Sequence, residues 1–179
     1  MHINEEDIKE LLKADPDKAF RFIVDKYGSR LYWHIRRLVI IHDDADDVLQ
    51  NVFISAWKNL ANFRNESSLY TWLYSISTNE ALSLIKKREK NAGVPLDDLD
   101  RVFASAPESD TYFDGDEAQR KLQDAVLKLP DKQRVVFNMK YFDDMSYEEI
   151  SGILGTSVGA LKASYHHAVK KIEQYLKGL

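Results

Sequence analysis

The sequence predicts an all-α protein in which two small helical domains are joined by an acidic flexible linker. Apolar residues recur at helical spacing in both halves of the 179-residue chain, and Gly and Pro are few, with 7 and 4 copies. Between the halves lies a carboxylate-rich segment with little apolar periodicity. Near the C-terminus, two helix-start signals follow each other across a glycine. Together these observations indicate the fold class and the domain limits.

The first domain is expected to span residues 1–90. A short helix from Glu5 to Ala14 is expected to pack on the side of a helical bundle. Three longer runs of helix-period apolar residues can close its core. These residues are Ala19, Phe20, Ile23, Val24, Tyr27, Leu31, Ile35 and Leu38, then Val48, Leu49, Val52, Phe53, Ala56, Trp57 and Leu60, then Leu69, Trp72, Leu73 and Ile76.

The linker is expected at residues 91–116, where two glycines and two prolines interrupt the chain. From Glu89 to Glu117 there are nine acidic and two basic residues, a net charge of −7. Because the whole chain carries −4, the remainder carries +3. The negative total therefore does not argue against a nucleic-acid partner.

The second domain, residues 117–179, contains a predicted helix-turn-helix. Ser146 and Glu149 have the spacing of a capping box that starts one helix, and Gly155 can make the sharp turn after it. Ser157 can cap the next helix. The residues expected to face inward are Ile150, Ile153, Leu154, Val158, Leu161 and Tyr165.

The second helix of this motif leaves Lys162, His166, Lys170 and Lys171 on its outward side. A capped helix that presents cations and small side chains fits the major groove of DNA, with lysines on the phosphates. The alternative is an ordinary helical hairpin with a solvated lysine face.

An acidic cluster opens the helix that carries Val48 to Leu60. Carboxylates at this position favour the positive end of the helix dipole, so stability alone can explain them. The polar face of the same helix presents Asp47, Gln50, Asn51 and Lys58, a surface that can dock a basic partner. From spacing alone, a solvated helix face is the favoured interpretation.

A polar loop at residues 63–68 leads into a helix start rich in aromatic residues. Trp72 is in register with the core, whereas Tyr70 and Tyr74 are expected on the flank. Exposed rings beside cations suit unpaired bases, which stack on the rings while cations hold the backbone. The polar and cationic residues are Arg64, Asn79, Lys86, Lys87 and Arg88. A basic helix end that complements its own dipole is the alternative.

Several classes of function find no support in the sequence. There is no cysteine, hence no disulfide framework or thiolate metal site, and no apolar run of membrane-spanning length or signal peptide, so a cytoplasmic location is expected. No phosphate-cradling glycine loop points to an enzyme. The adjacent His166 and His167 point about 100° apart on a helix and cannot chelate one metal. We expect no cofactor and no metal.

Three stretches of the chain resemble the extracytoplasmic-function group of bacterial sigma factors, group 4 of the sigma-70 family. DDADDVLQNVFISAWKNLANF resembles the polymerase-binding region 2.2, and SSLYTWLYSISTNEALSLIKKR resembles the regions that open and read the −10 element. LPDKQRVVFNMKYFDDMSYEEISGILGTSVGALKASYHHAVKKI resembles region 4, which reads the −35 element. The resemblance covers nearly the whole chain and implies a non-catalytic initiation factor with core RNA polymerase and promoter DNA as partners.

The resemblance also implies roles for individual residues. It implies polymerase contacts for Asp47 and Gln50, and the adjacent Asn51 is a further candidate. It implies contacts with the −10 element for Arg64, Asn65, Glu66, Ser67, Ser68 and Asn79, to which position and chemistry add Tyr70, Lys86 and Lys87. It implies a contact with the −35 element for Lys162, and the further candidates on the same helix are Ser157, Ala160, Ser164, His166, His167 and Lys170. The acidic linker resembles the segment that runs near the active cleft and the RNA exit channel.

Several residues depart from the usual pattern of the family. Asn51 stands where an acid is common, and Ala160 stands where Thr is common. Ser164 and His167 stand where the recognition helix often carries arginine. These changes remove expected phosphate or base contacts, so the −35 sequence cannot be predicted.

Two further expectations concern partners and shape. Sigma factors of this group are commonly held by an anti-sigma protein, so such a partner is expected here. We also expect a closed resting form, in which Trp33, Tyr70 and Tyr141 are covered where the domains meet. The rival hypothesis is a stand-alone helix-turn-helix regulator, which predicts a homodimer on paired half-sites.

Overall fold

In the computed structural model of this chain, the described residues are 5–60, 63, 67–92 and 117–178. Over these residues the regular secondary structure is helical, without strands, which confirms the all-α prediction. The predicted −10 loop residues Arg64, Asn65 and Glu66 lie outside the described residues. So does the acidic linker, apart from its first two residues.

Four helices form lobe 1, the N-terminal unit: α1 (Glu5–Ala14), α2 (Pro16–Val39), α3 (His42–Asn59) and α4 (Leu69–Ala92). Asp15 caps α2 by accepting a hydrogen bond from the Lys18 amide at 3.0 Å, and Pro16 suits its first turn. Ile40, with φ 71°, ends α2 in the left-handed region. α3 then begins with carboxylates at its positive end, as its sequence predicts.

The apolar stripes of α2, α3 and α4 meet in the core of lobe 1. Its buried members include Ile23, Leu31, Ile35, Val48, Val52, Ala56, Leu73 and Ala81. Two assignments made from spacing are wrong. Trp57 is 42% exposed, and the centroid of its ring lies 5.0 Å from that of Phe20. Tyr74, expected on the flank, is only 1% exposed.

Lobe 2, the C-terminal unit, comprises α5 (Glu117–Leu127), α6 (Asp131–Tyr141), α7 (Tyr147–Leu154) and α8 (Val158–Lys177). The capping box of α7 is present: Glu149 donates its amide hydrogen to Ser146 Oγ at 3.2 Å and accepts from the Ser146 amide at 2.7 Å. Gly155 ends α7 in the left-handed conformation, φ 61°, and Ser157 caps α8. The helix-turn-helix prediction is confirmed.

The two lobes pack against each other. Met139, Met145, Ile150, Ile153 and Leu161 of lobe 2 belong to one continuous cluster of buried residues with the core of lobe 1. This contact confirms the expected closed form, but only one of the three rings on which that expectation rested is covered. Tyr70 is half-buried, whereas Trp33 and Tyr141 are 40% and 54% exposed.

Candidate polymerase and nucleic-acid interfaces

Asp47, Gln50 and Asn51 all lie exposed on one side of α3. Their spacing places them within about a third of the helix circumference, and Lys58, also exposed, continues the same side three turns further on. The structure therefore brings together the three residues to which a polymerase contact is assigned.

Two large apolar side chains complete this side of α3. Ile54 is 47% exposed and Trp57 is 42% exposed, and the helical period places both in line with Gln50. The sequence predicts only the polar residues of this side, and its helical spacing places Trp57 in the core. The helical period could have placed Ile54 on this side, because Ile54 lies seven positions, about two turns, after Asp47. We call the set Asp47, Gln50, Asn51, Ile54 and Trp57 the α3 stripe.

The start of α3 is tied to the end of α4 by an ion pair. Arg88 Nη1 lies 2.5 Å from Asp44 Oδ2. Burial raises the pKa of the Asp44 carboxyl, and the Arg88 guanidinium opposes that shift. Arg88 therefore joins two helices although its side chain is 45% exposed, and the neighbouring Lys86 and Lys87 are exposed as well.

The residues assigned to the −10 element are not all on one side of α4. Asn79 and Lys86 face solvent, seven residues apart and thus on one face. Tyr70 precedes Asn79 by nine residues, which places it about half a turn around the helix, on the side that packs into the protein. Ser67 and Ser68 are exposed, and Ser68 Oγ accepts from the Thr71 amide at 3.0 Å, which caps the start of α4.

The inward side of α4 carries a contiguous set of rings. The Tyr70 and Tyr74 ring centroids are 4.5 Å apart, and the Tyr74 ring lies 4.9 Å from that of His34 on α2. Burial raises the pKa of the Tyr70 hydroxyl. The pKa of Tyr74 is also raised, first by burial and then by the Asp143 carboxylate of lobe 2. Tyr74 thus lies where the two lobes meet.

On α8, the residues assigned to the −35 element form an open face. Ala160, Lys162, His166, His167 and Lys170 are exposed, whereas Ser164 is half-buried at the edge. Ser157 is exposed, and its hydroxyl accepts from the Ala160 amide at 3.3 Å. Lys162 Nζ lies 5.7 Å from the centroid of the Tyr147 ring, at one flank of this face.

Over residues 5–60, 63, 67–92 and 117–178, no cluster of three metal-binding side chains is found. The centroids of the adjacent His166 and His167 rings are 6.1 Å apart. None of the described helices combines the length and the apolar character needed to cross a membrane.

Residues 23–91 match the family Sigma-70 region 2, and residues 119–172 match Sigma-70, region 4. The chain is 32% identical over 180 residues to the ECF RNA polymerase sigma factor SigW of Bacillus subtilis (strain 168), covering 96% of both chains. It is 28% identical over 182 residues to the ECF RNA polymerase sigma-E factor of Escherichia coli (strain K12), covering 96% of this chain and 93% of that one.

Two solved structures share the fold. One is the sigma factor RpoE bound to the anti-sigma factor NepR from Bartonella quintana, with a TM-score of 0.71 and 26% identity over 89% of this chain and 98% of that one. The other is CnrH bound to the cytosolic domain of CnrY, with a TM-score of 0.73 and 22% identity over 97% of both chains, which supports the fold alone.

These findings define a transcription-initiation factor of the sigma-70 class. Within that class, the chain belongs to the extracytoplasmic-function sigma factors, which bind RNA polymerase and direct it to promoters. Family membership therefore favours this function over the stand-alone regulator.

Proposed function

We propose that this sigma factor docks on core RNA polymerase through the α3 stripe, reads and melts the −10 element with α4 and the loop before it, and reads the −35 element with α8. It is non-catalytic and acts in the cytoplasm, where it supplies binding energy and position while the polymerase makes RNA.

The observation that carries this proposal is the presence, in one chain, of two separate exposed surfaces on two lobes. The α3 stripe combines an acid, two amides and two exposed apolar residues. That composition suits a protein partner, because large apolar side chains at the centre of a polar surface act as anchors in protein interfaces. The outward face of α8 instead carries lysines and histidines and suits DNA.

Each DNA-reading helix offers only a few cations on the side assigned to DNA. α8 has the exposed Lys162, Lys170 and Lys171, and α4 has the exposed Lys86 and Lys87 after the exposed amide of Asn79. Each phosphate contact adds only a limited, salt-dependent share of affinity. Each lobe alone therefore binds DNA weakly, and tethering both to polymerase raises their effective concentration on one promoter.

An anti-sigma factor is a further proposed partner. The structural relative RpoE is bound to the anti-sigma factor NepR. In this chain, the exposed apolar residues of the α3 stripe give such a protein a surface on which it would compete directly with polymerase. The identity of that partner does not follow from the chain itself.

Run-off transcription with purified core polymerase, on fragmented genomic DNA from the source of this protein, tests the function. Transcripts that require the added protein are the expected result, and mapping their starts identifies both promoter elements. The absence of transcripts, together with no co-elution with core polymerase and a homodimer on paired half-sites, would support the stand-alone regulator instead.

A paired substitution tests the α3 stripe. Asp47→Ala with Gln50→Ala is expected to weaken binding to core polymerase by tenfold or more, roughly 1.4 kcal/mol, while the isolated protein keeps its affinity for DNA. Asp25→Ala, at an exposed position of α2, is the control. Unchanged polymerase affinity of the double variant would refute the assignment.

A further inference from the structure

The contact between the lobes has a polar end built around one carboxylate of lobe 2. Asp143 follows α6, and its side chain is only 5% exposed. It accepts a hydrogen bond from Nδ1 of the buried His34 at 3.0 Å and a second from the Arg37 guanidinium. Both donors belong to α2 of lobe 1, about one helical turn apart. We call these three residues the latch.

The latch residues are held from both sides. His34 Nε2 lies 2.9 Å from Thr78 Oγ1, which donates to the Tyr74 carbonyl, so the ring is fixed against α4. The Arg37 carbonyl accepts from Asn138 Nδ2 at 3.3 Å, and its guanidinium lies 5.0 Å from the Phe142 ring centroid. Lobe 2 therefore contacts Arg37 through three different groups.

Closure covers the start of α4 and leaves α8 open. Gly152 of α7 lies next to Thr71 of α4: a Cβ on the glycine would be in van der Waals contact with Thr71 Cγ2, at 3.5 Å. Tyr74 and Thr78 are buried and Tyr70 is half-buried. The cations assigned to the −35 element stay exposed, as do Asn79 and Lys86 at the outer side of α4.

We propose that the latch holds an autoinhibitory closure: while His34 and Arg37 bind Asp143, lobe 2 covers the tyrosine side of α4, and the lobes must separate here before α4 can stack melted −10 bases. The inference rests on the proposed function, because it assigns base stacking to Tyr70. It adds that, in the protein alone, the cations that contact DNA are exposed while the tyrosine rings of α4 are covered.

The chemistry of the latch suits a contact that has to open. Removing charged groups from water costs about as much free energy as their attraction returns, so a buried ion pair adds little net stability. Its geometry is nevertheless demanding, because one carboxylate must meet two donors. The latch thus sets the relative position of the lobes without making their separation prohibitive.

A reversible lock tests the closure. The chain has no cysteine, so Thr71→Cys with Gly152→Cys creates a single pair, at two positions whose side chains would be in van der Waals contact. The variant is oxidised, freed of oxidant and then added to core polymerase for run-off transcription. We expect the oxidised form to lose transcription at least tenfold and to regain it with reductant, while each single-cysteine variant is unaffected by either treatment.

Equal transcription from the oxidised and reduced forms would overturn the inference while leaving the proposed function intact. Absence of transcription with the unmodified protein would instead contradict the proposed function.

A release variant tests the latch itself without relying on transcription. Dyes are attached to the cysteines of Lys18→Cys and Glu173→Cys, which lie at exposed positions on opposite lobes. Energy transfer between the dyes then reports the separation of the lobes. Asp143→Ala leaves His34 and Arg37 without their acceptor in the closed form, so the ratio of open to closed molecules is expected to rise about tenfold. Asp144→Asn, which removes the same charge from the adjacent exposed position, is the control. Equal energy transfer in these two variants would overturn the role of Asp143.

Discussion

The two DNA-reading helices of this sigma factor are placed in opposite ways. α8 buries one stripe, including Leu161, Ala168 and Ile172, and presents the rest of its surface to solvent. α4 buries Leu73 and Ala81 in its own lobe and, in addition, packs its tyrosine side where lobe 2 closes over it. Only its outer side, with Asn79 and Lys86, resembles α8 in exposure.

This difference separates the two tasks of the protein. Reading duplex DNA requires only a helix face that is exposed at all times, which α8 provides. Reading melted bases requires aromatic surface, and exposed aromatic surface on a free protein also invites unspecific contacts. The closed form can therefore cover the rings of α4 until the lobes separate and still leave α8 exposed for duplex DNA.

The largest expected effect comes from the buried side of α4. Leu73→Ala removes a fully buried side chain and is expected to lower the free energy of unfolding by about 2–5 kcal/mol, through lost burial and the cavity left behind. Ala163→Ser, on the exposed side of α8, is expected to change it by about 0.5 kcal/mol or less. Urea unfolding followed by circular dichroism measures both. Similar losses would mean that α8 is as constrained as α4.

Local signals in the sequence were enough for the elements that depend on neighbouring residues. The caps at Ser146 and Ser157 and the turn at Gly155 depend on residues within about four positions, and the structure has all three. The α3 polar face followed from helical spacing, because Asp47 and Gln50 need only their own helix to be presented.

The contact between the lobes could not be predicted in the same way. Asp143 lies 109 positions from His34, and no local pattern links an acid in a turn to a histidine in a distant helix. The same limit explains Tyr74, which helical spacing placed on the flank of α4 because the neighbour that covers it comes from elsewhere in the chain. The prediction for Trp57 was wrong in the opposite sense: it placed an exposed residue in the core, because an apolar residue in a helical stripe is usually buried.

A smaller effect is expected at the turn that orients α8. Gly155 has φ 61° and no atom within 4 Å of an added Cβ, so Gly155→Ala is expected to cost about 1–2 kcal/mol from backbone strain alone. Gly159 lies in the first turn of α8 with the same open surroundings, so Gly159→Ala is expected to stabilise the protein by up to about 1 kcal/mol. Opposite shifts in thermal midpoint would support this account. Two shifts of the same sign would contradict it.

The smallest expected effect tests whether α8 is independent of the latch. Lys162→Ala removes one exposed cation from the −35 face, so the slope of log affinity against log salt concentration should fall by about 1, with loss of less than tenfold at fixed salt. Fluorescence anisotropy on a duplex with the mapped upstream element gives this slope, and Lys18→Ala on α2 is the control.

The same substitution in the Asp143→Ala background sharpens the comparison. Because the α8 face is exposed while the lobes are closed, opening them should leave the loss of affinity from Lys162→Ala unchanged within about 0.5 kcal/mol, as for independent sites. Tyr70→Ala should behave differently, since its ring becomes available to melted bases only after the latch opens. If the Lys162 effect also depended on Asp143, both DNA-reading helices would be under the control of closure, and the contrast between α4 and α8 would be lost.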